Sequence, residues 1–470
     1  MVLWHPSVSP IERKPKAGKK LLGAPPFILS GSFLLLILIG AGLLKLPIAT
    51  HEPISWVQSL FTATSAVTVT GLVVVDTGTV FTLFGQTVIA LLIQCGGLGL
   101  MTFAIVTLIA LGGKIGFLER TVAREAFNQT DSSTLAATAK SVLGFALVVE
   151  LIGITVLTLY WREELGWQTS LFHGFFYTIS AFNNAGFALS ADSLMPYVDD
   201  PVVNITITGL FIIGGLGFSV WMDLKRHRCW SRLTVYSRMM ISGTVIINLV
   251  ALIAIYLIEY DNPNTLAPLS ESGKWLASWF QAVTPRTAGF NTLAIDQLED
   301  ATTSILLVLM FIGGGSLSTA SGIKVVTFIV LILATYAYLR RDEAVDVFKR
   351  EITKETVSKA LALTLISAGV TWLAIFALLL SENAPMLDIV FEAVSALGTV
   401  GLSRGLTGNL SAAGEFIIIF MMFMGRLGPL TLAYFLASPR KKKIRYAETK
   451  LAMASVTCAG RVPDSTSVRR

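Results

Sequence analysis

The chain has 470 residues, 53% of them hydrophobic and only 14% charged, with a mean hydropathy of +0.70. A soluble globular chain carries about 25% charged residues, so this balance excludes an ordinary soluble domain, and several long apolar runs point to a multi-pass membrane protein. The net charge of +6 is gathered in particular connections and reports orientation in a bilayer rather than a nucleic-acid partner. Cys95, Cys229 and Cys458 have no CxxC spacing and the histidines are scattered, which indicates neither a disulfide framework nor a zinc site.

In chain order, residues 1–26 form a polar tail, basic from Arg13 to Lys20, with no cleavage site after it. Basic residues beside a span stay in the cytoplasm, so the first span, Phe27 to Leu46, is expected to rise outward. A first unit over 27–112, with a loop at 56–72, precedes a cytoplasmic link at 113–136. A second occupies 137–223, with a loop at 172–187 and a densely basic link at 224–238. A third runs from 239 to 339, with a loop at 275–290 and a link at 340–355. The fourth covers 356–438, its loop at 387–402, and leads into a basic tail, 439–470. The fold expected is therefore all-α: four consecutive helix–pore loop–helix repeats, eight spans around one central pore, and both termini cytoplasmic.

The repeat rests on one alignment. Setting Gly71 against Gly186, Gly289 and Gly401 aligns FTATSAVTVTGL with FYTISAFNNAGF, WFQAVTPRTAGF and FEAVSALGTVGL without gaps. Ten residues before each glycine stands an aromatic (Phe61, Phe176, Trp279, Phe391), and six before stands Ser65, Ser180, Val283 or Ser395. Such hydroxyl-rich loops are tolerated at membrane depth only beside a water-filled path, where their carbonyls can replace an ion's hydration shell. The candidate selectivity-filter residues are Thr68, Val69, Thr70 and Gly71; Asn183, Asn184, Ala185 and Gly186; Arg286, Thr287, Ala288 and Gly289; and Gly398, Thr399, Val400 and Gly401. Backbone carbonyls of Thr68, Val69, Asn183, Asn184, Thr287 and Thr399 are the candidate cation ligands. The outward connections 188–202, 259–274 and 291–301 hold acids such as Asp192, Asp199, Asp200, Asp296 and Asp300 against the single basic Lys274, and a negative mouth concentrates cations.

Each descending segment also carries a small-residue break: Gly96 to Gly99, Gly214 to Gly217, Gly313 to Ser316, and Gly425 to Gly428. Close helix packing accounts for the first two. The third is longer, GGGSLSTASG from Gly313 to Gly322, and its poor helix propensity predicts an irregular intramembrane loop. Gly313, Gly314, Gly315, Ser316, Ser318, Thr319, Ser321, Gly322 and the following Lys324 are candidate gate residues, together with Arg426, a charge inside the last span. Arg286 would repel a cation from the axis, so it is expected to point away, with Glu392 as its leading partner. Glu150, in a rising helix, has no evident partner.

TSAVTVTGLVVVDTGT (64–79), IQCGGLG (93–99), SAFNNAGF (180–187), FQAVTPRTAGFN (280–291), GSLSTASGIK (315–324), GTVGL (398–402) and GRLGPLT (425–431) resemble the superfamily of K⁺ transporters that includes the Trk, Ktr and plant HKT proteins, and most of all the membrane subunits of bacterial Ktr systems. The likeness covers about residues 20–447. It implies channel-like K⁺ uptake across the bacterial cytoplasmic membrane with Na⁺ as activator, a gate at 313–322 touched by Arg426, and a homodimer. It further implies a cytosolic nucleotide-binding regulatory ring of the KtrA/TrkA kind, which would hold the ATP or ADP, this chain holding no cofactor. The segment after Tyr446 departs from the family pattern. A Na⁺-coupled cation secondary transporter is the alternative, but it calls for inverted repeats whereas the four units share one orientation. A membrane enzyme calls for a nucleophile or metal cluster that the sequence lacks.

Overall fold

A computed structural model describes residues 25–99, 135–315, 318–342 and 344–428. The expected tails apart from Pro25 and Pro26, most of the link 113–136, the distal parts of the first and last descending segments, and Ser316 lie outside the described residues. The described chain is helical apart from one antiparallel hairpin, Val345–Val347 with Arg350–Ile352, inside the expected link 340–355.

Among the described residues the longer helices fall into four consecutive sets, each including a short inner helix. The first set is α1 (Pro25–Leu44), α2 (Trp56–Val67) and α3 (Leu83–Gly97). The second is α4 (Leu135–Leu165), α5 (Trp167–Phe182), α6 (Pro201–Leu216) and α7 (Phe218–His227). The third is α8 (Val235–Glu259), α9 (Glu271–Val283), α10 (Asp300–Phe311) and α11 (Val325–Arg340). The last is α12 (Lys354–Ser381), α13 (Met386–Gly398) and α14 (Ala412–Leu427). Among the described residues three helices are long and apolar enough to cross a membrane, Lys140–Leu165, Val235–Glu259 and Lys354–Ser381, or four if α6 and α7 count as one bent span. Shorter apolar helices lie beside them, Leu83–Gly97 and Asp300–Phe311 among them.

Local chemistry sets where the short helices start. Ser55 caps α2 by accepting from Gln58 N at 3.1 Å, while the Gln58 side chain accepts from Ser55 N at 2.8 Å, so each satisfies a donor the other leaves free. Ser270 and Ser411 cap α9 and α14 by accepting from Gly273 N and Gly414 N, with no reciprocal bond because both partners are glycines, and Asp200 with Pro201 opens α6.

Two expected spans are not continuous. The second descending segment, expected over about Val203 to Trp221, ends at Leu216 and turns by 89° into α7. The pivot is Gly217, whose φ of 93° a residue with a Cβ rarely adopts. The third is interrupted from Ile312 to Lys324, where the glycine and hydroxyl run offers little to a helix.

Packing runs in one direction around a centre. Helix α3 lies against α5, α6 against α9, α10 against α13, and α14 returns to α2. Consecutive sets therefore close into a ring, with α2, α5, α9 and α13 innermost.

Candidate functional site

At the end of each inner helix the backbone makes the same manoeuvre. Val69, Asn184, Thr287 and Thr399 have φ of 51°, 59°, 68° and 49°, and two residues on Gly71, Gly186, Gly289 and Gly401 have φ of 92°, 69°, 79° and 92°. Left-handed residues separated by one ordinary residue turn successive peptide planes, so that neighbouring carbonyls face one side of the chain. Among the described residues no backbone N–H donates to the carbonyls of Val69, Thr70, Asn184, Ala185, Thr287, Ala288, Thr399 or Val400.

The four segments touch in a closed circuit. A Cβ added to Gly71 would lie 2.3 Å from the Ala185 carbonyl oxygen, one on Gly186 would lie 2.9 Å from that of Ala288, and one on Gly289 2.4 Å from that of Val400. On Gly401 it would lie 2.2 Å from the Thr70 oxygen, which returns to the first segment. Each glycine is thus pressed against the carbonyl preceding the next glycine, and the space contains no room for side chains. The four inner helices aim their C-terminal ends, the negative ends of their dipoles, at this ring, a field that favours a cation.

Hydroxyls brace the ring from behind. Ser65 Oγ accepts from Gly71 N at 3.0 Å and Ser395 Oγ from Gly401 N at 3.2 Å. Ser180 Oγ donates to Phe187 O at 2.8 Å. In the third segment Thr284, not Val283, supplies the hydroxyl, donating to Phe290 O at 2.5 Å. The fully buried aromatic is likewise Phe280 rather than Trp279. The gapless alignment is therefore one residue out of register in the third helix. Its closing turn is also shorter: Ala288 N bonds Thr284 O, whereas Thr70, Ala185 and Val400 reach back five residues to the carbonyls of Ser65, Ser180 and Ser395.

On one side the ring floors an open vestibule of about 540 Å³, lined by Asp76, Asp192 and Asp296 among others. Arg404 near its rim is ion-paired with Asp388 at 2.8 Å. The described residues 312–315 and 318–324 lie on the opposite side. This stretch is closed on itself by Gly313 N to Ile323 O at 2.7 Å and docks on the end of α6 through Gly315 N to Gly215 O at 2.9 Å and Thr319 N to Gly214 O at 3.4 Å. Gly314 accepts from Val325 N, Ser318 Oγ donates to Gly315 O at 2.7 Å, and Lys324 Nζ donates to Ala320 O at 2.9 Å. Gly322 holds the chain's return with a φ of 67°.

Arg426 binds this loop. It donates to Thr319 O at 2.6 Å and Ser321 Oγ at 3.2 Å, and, from its other terminal nitrogen, to Gly97 O at 3.2 Å and Gly96 O. The last two are C-terminal carbonyls of α3, where a cation also meets the favourable end of the helix dipole.

The small-residue breaks do more than pack. A Cβ at Gly96, Gly214 or Gly425 would strike the carbonyl of Val67, Phe182 or Leu397 at 1.9, 2.0 or 2.1 Å, in each case four residues before a ring glycine. The last glycine of each of these breaks, Gly99, Gly217 and Gly428, has positive φ. One glycine admits the inner helix and the other ends the outer one.

The expected Arg286–Glu392 pair is not made. Arg286 points away from the ring and donates to Asn248 Oδ1 at 2.8 Å and to the Thr244 hydroxyl and carbonyl at 3.3 and 3.4 Å, all on α8. Glu392 accepts instead from Ser403 Oγ at 2.9 Å and from Thr407 Oγ1. Glu150 has a partner: Gln94 Nε2 donates to both its oxygens, at 2.8 and 3.0 Å, and Gln94 Oε1 accepts from Asn183 Nδ2 at 2.7 Å. Gln94 and Asn248 escaped sequence reasoning, although a polar residue inside an apolar helix is itself a signal. Asn248→Leu should cost about 1.5–3 kcal/mol, as expected when a charged donor loses its acceptor. Arg286→Gln and Glu392→Gln should add to within about 0.5 kcal/mol, whereas Arg286→Gln and Asn248→Leu should couple. Thermal unfolding of the purified variants measures both.

Comparison with known proteins agrees with this geometry. Residues 27–446 match the family described as TrkH, cation transport protein. The chain is 48% identical to the Ktr system potassium uptake protein B of Bacillus subtilis over 93% of its own length and 98% of that protein. It is 45% identical to the protein of the same name from Vibrio alginolyticus, over 91% and 95%, and 33% identical to the potassium/sodium uptake protein NtpJ of Enterococcus hirae, over 94% and 99%. The crystal structure of the potassium transporter TrkH from Vibrio parahaemolyticus shares its fold, with a TM-score of 0.71 at 20% identity over 91% of this chain and 86% of that one. A ring of four glycine-bearing segments inside a bundle of apolar helices, and a family match across nearly the whole chain, lead to one conclusion: this is a multi-pass membrane transport protein, not an enzyme, and it belongs to the TrkH family of cation transport proteins.

Proposed function

We propose that the chain is the ion-translocating subunit of a Ktr-type K⁺ uptake system in a bacterial cytoplasmic membrane. The observation that carries this reading is the closed circuit of Gly71, Gly186, Gly289 and Gly401, each against the carbonyl of its neighbour. Ions shed water for the carbonyls of residues 68–70, 183–185, 286–288 and 398–400 and pass down their gradient, drawn by an acidic vestibule on the outer side. Four repeats with eight spans and cytoplasmic termini surround the path, and two such chains form a homodimer with one path each. The loop 313–322 is the gate. It has polar contacts and few apolar ones, so it belongs to the low-stability end of the fold, and a modest differential binding energy can shift it. A cytosolic nucleotide-binding ring, carrying ATP or ADP, applies that energy through the links 224–238 and 340–355, and Na⁺ stimulates uptake.

The test is rescue of a K⁺-uptake-deficient bacterium at low K⁺, with and without a co-expressed regulatory subunit, together with ⁸⁶Rb⁺ uptake into liposomes containing the purified chain. Passive, gradient-driven Rb⁺ entry is expected. Uptake against a Rb⁺ gradient, driven only by an imposed Na⁺ gradient, would favour the coupled transporter instead.

A further inference from the structure

One residue of the loop touches three parts of the molecule at once. Thr319 uses its amide on Gly214 O, its carbonyl on Arg426, and its hydroxyl on the second ring segment, where Oγ1 lies 2.7 Å from Asn184 Oδ1 and 3.2 Å from Phe182 O. Asn184 is the left-handed residue two before Gly186, with a φ of 59°. Its side chain is buried and reaches down to the loop rather than toward a neighbouring segment.

A hydroxyl has one proton, and two acceptors face this one. If it donates to Asn184 Oδ1, Phe182 O is left without it; Asn184 Nδ2 is then a buried donor with no partner among the described residues. If the amide is turned over, Nδ2 donates to Thr319 Oγ1 and the hydroxyl donates to Phe182 O, and Asn184 Oδ1 takes the buried position without a partner. Both arrangements tie the loop to the ring through the same oxygen. When the loop leaves, Asn184 loses that bond at a backbone position only a few local contacts hold in the left-handed region.

Resting on the gate reading given above, we infer that Thr319 and Asn184 couple the loop to the ring, so that the position of the gate sets the cation affinity and selectivity of the pore as well as its conductance. Thr319 is a positioning residue, since it acts on the ions through Asn184. Coupling of this kind is reciprocal: whatever stabilises the docked loop favours the docked form of the ring, and an ion that prefers that form stabilises the docked loop by the same factor.

The experiment uses the full chain in liposomes and reads Rb⁺ uptake rate, the Rb⁺ concentration giving half-maximal uptake, and inhibition by Na⁺. Thr319→Val removes only the hydroxyl and keeps both backbone contacts. Its half-saturating Rb⁺ should rise, and its K⁺ over Na⁺ discrimination fall, by roughly three- to tenfold, the range that loss of one hydrogen bond allows. Thr319→Ser should behave as wild type in both. Thr319→Ala lacks the same hydroxyl without the added methyl, so agreement with valine excludes a packing fault. Arg426→Gln loosens the loop with the hydroxyl in place and should shift half-saturation in the same direction, by no more than valine does. Faster uptake in the valine and alanine variants with unchanged half-saturation and selectivity would overturn the coupling and leave the gate standing, as would a serine variant that shifts like valine. Unchanged uptake rates in Arg426→Gln and in a chain with a shortened loop would instead remove the gate itself.

Discussion

On the gating proposed above, shortening the loop between Gly313 and Gly322 should raise K⁺ uptake at least about tenfold and make it nearly independent of a co-expressed regulatory subunit. The loop is held in place by a handful of hydrogen bonds: two to α6, one to Asn184, and the contacts of Arg426 with Thr319 O and Ser321 Oγ. At about 0.5–1.5 kcal/mol net for each, they keep the loop docked most of the time yet stay within reach of a partner's binding energy, because every 1.4 kcal/mol is about a factor of ten in population. Deleting residues within it removes the contacts together and leaves nothing for a partner to move. Discrimination between K⁺ and Na⁺ should fall by no more than Thr319→Val loses, since the ring itself is untouched. The measurement is Rb⁺ uptake into cells with and without the regulatory subunit, normalised to protein in the membrane. Well-folded protein without uptake, or with its dependence on the partner intact, would show the loop to be a structural break.

Serine in place of a ring glycine should damage selectivity more than it damages folding, and by an amount that differs around the ring. At Gly401, Gly71 and Gly289 an added Cβ would stand 2.2, 2.3 and 2.4 Å from a neighbouring carbonyl oxygen, so those carbonyls must move away from the positions at which they would hold an ion. Gly186 is milder, since its nearest atom is the Gly289 Cα at 2.7 Å. Positive φ adds roughly 1–2 kcal/mol for any residue with a Cβ. Loss of K⁺ over Na⁺ discrimination by at least about tenfold, one decade for each 1.4 kcal/mol, is expected for the first three variants and less for Gly186→Ser. Competition of Na⁺ with Rb⁺ uptake gives the order directly. Wild-type discrimination in all four would mean that the ring is a packing device and not a filter.

What could be read from the chain beforehand follows the range of the interaction. The ring glycines were legible because an aromatic, a hydroxyl and a glycine recur at short, fixed spacing, each answering a local need of the backbone. The break at 313–322 was legible because ten residues of poor helix propensity interrupt an apolar run. The partners of Arg286 were not, since Asn248 and Thr244 lie about forty residues away on a neighbouring helix and only packing brings them near. Gln94 and Glu150 are 56 positions apart for the same reason. The third segment misled by one residue because Trp279 and Phe280 are both aromatic and Val283 stands beside Thr284, so the sequence permits two registers and the shorter closing turn chooses between them.

The circuit of glycines also dictates an order of assembly. Three of its contacts join successive segments, but the last joins Gly401 to Thr70 and Gly71, so the first segment has no neighbour on that side until the fourth is made. At about 5–20 residues per second, synthesis of the intervening chain takes on the order of tens of seconds. During that interval the Thr70 carbonyl and the C-terminal end of α2 face either lipid or an incomplete water-filled groove, and hydrocarbon is not a tolerable neighbour for them. A chain truncated before residue 401 cannot leave that condition, and the quality-control proteases of the membrane should clear it, however well its first three quarters have folded.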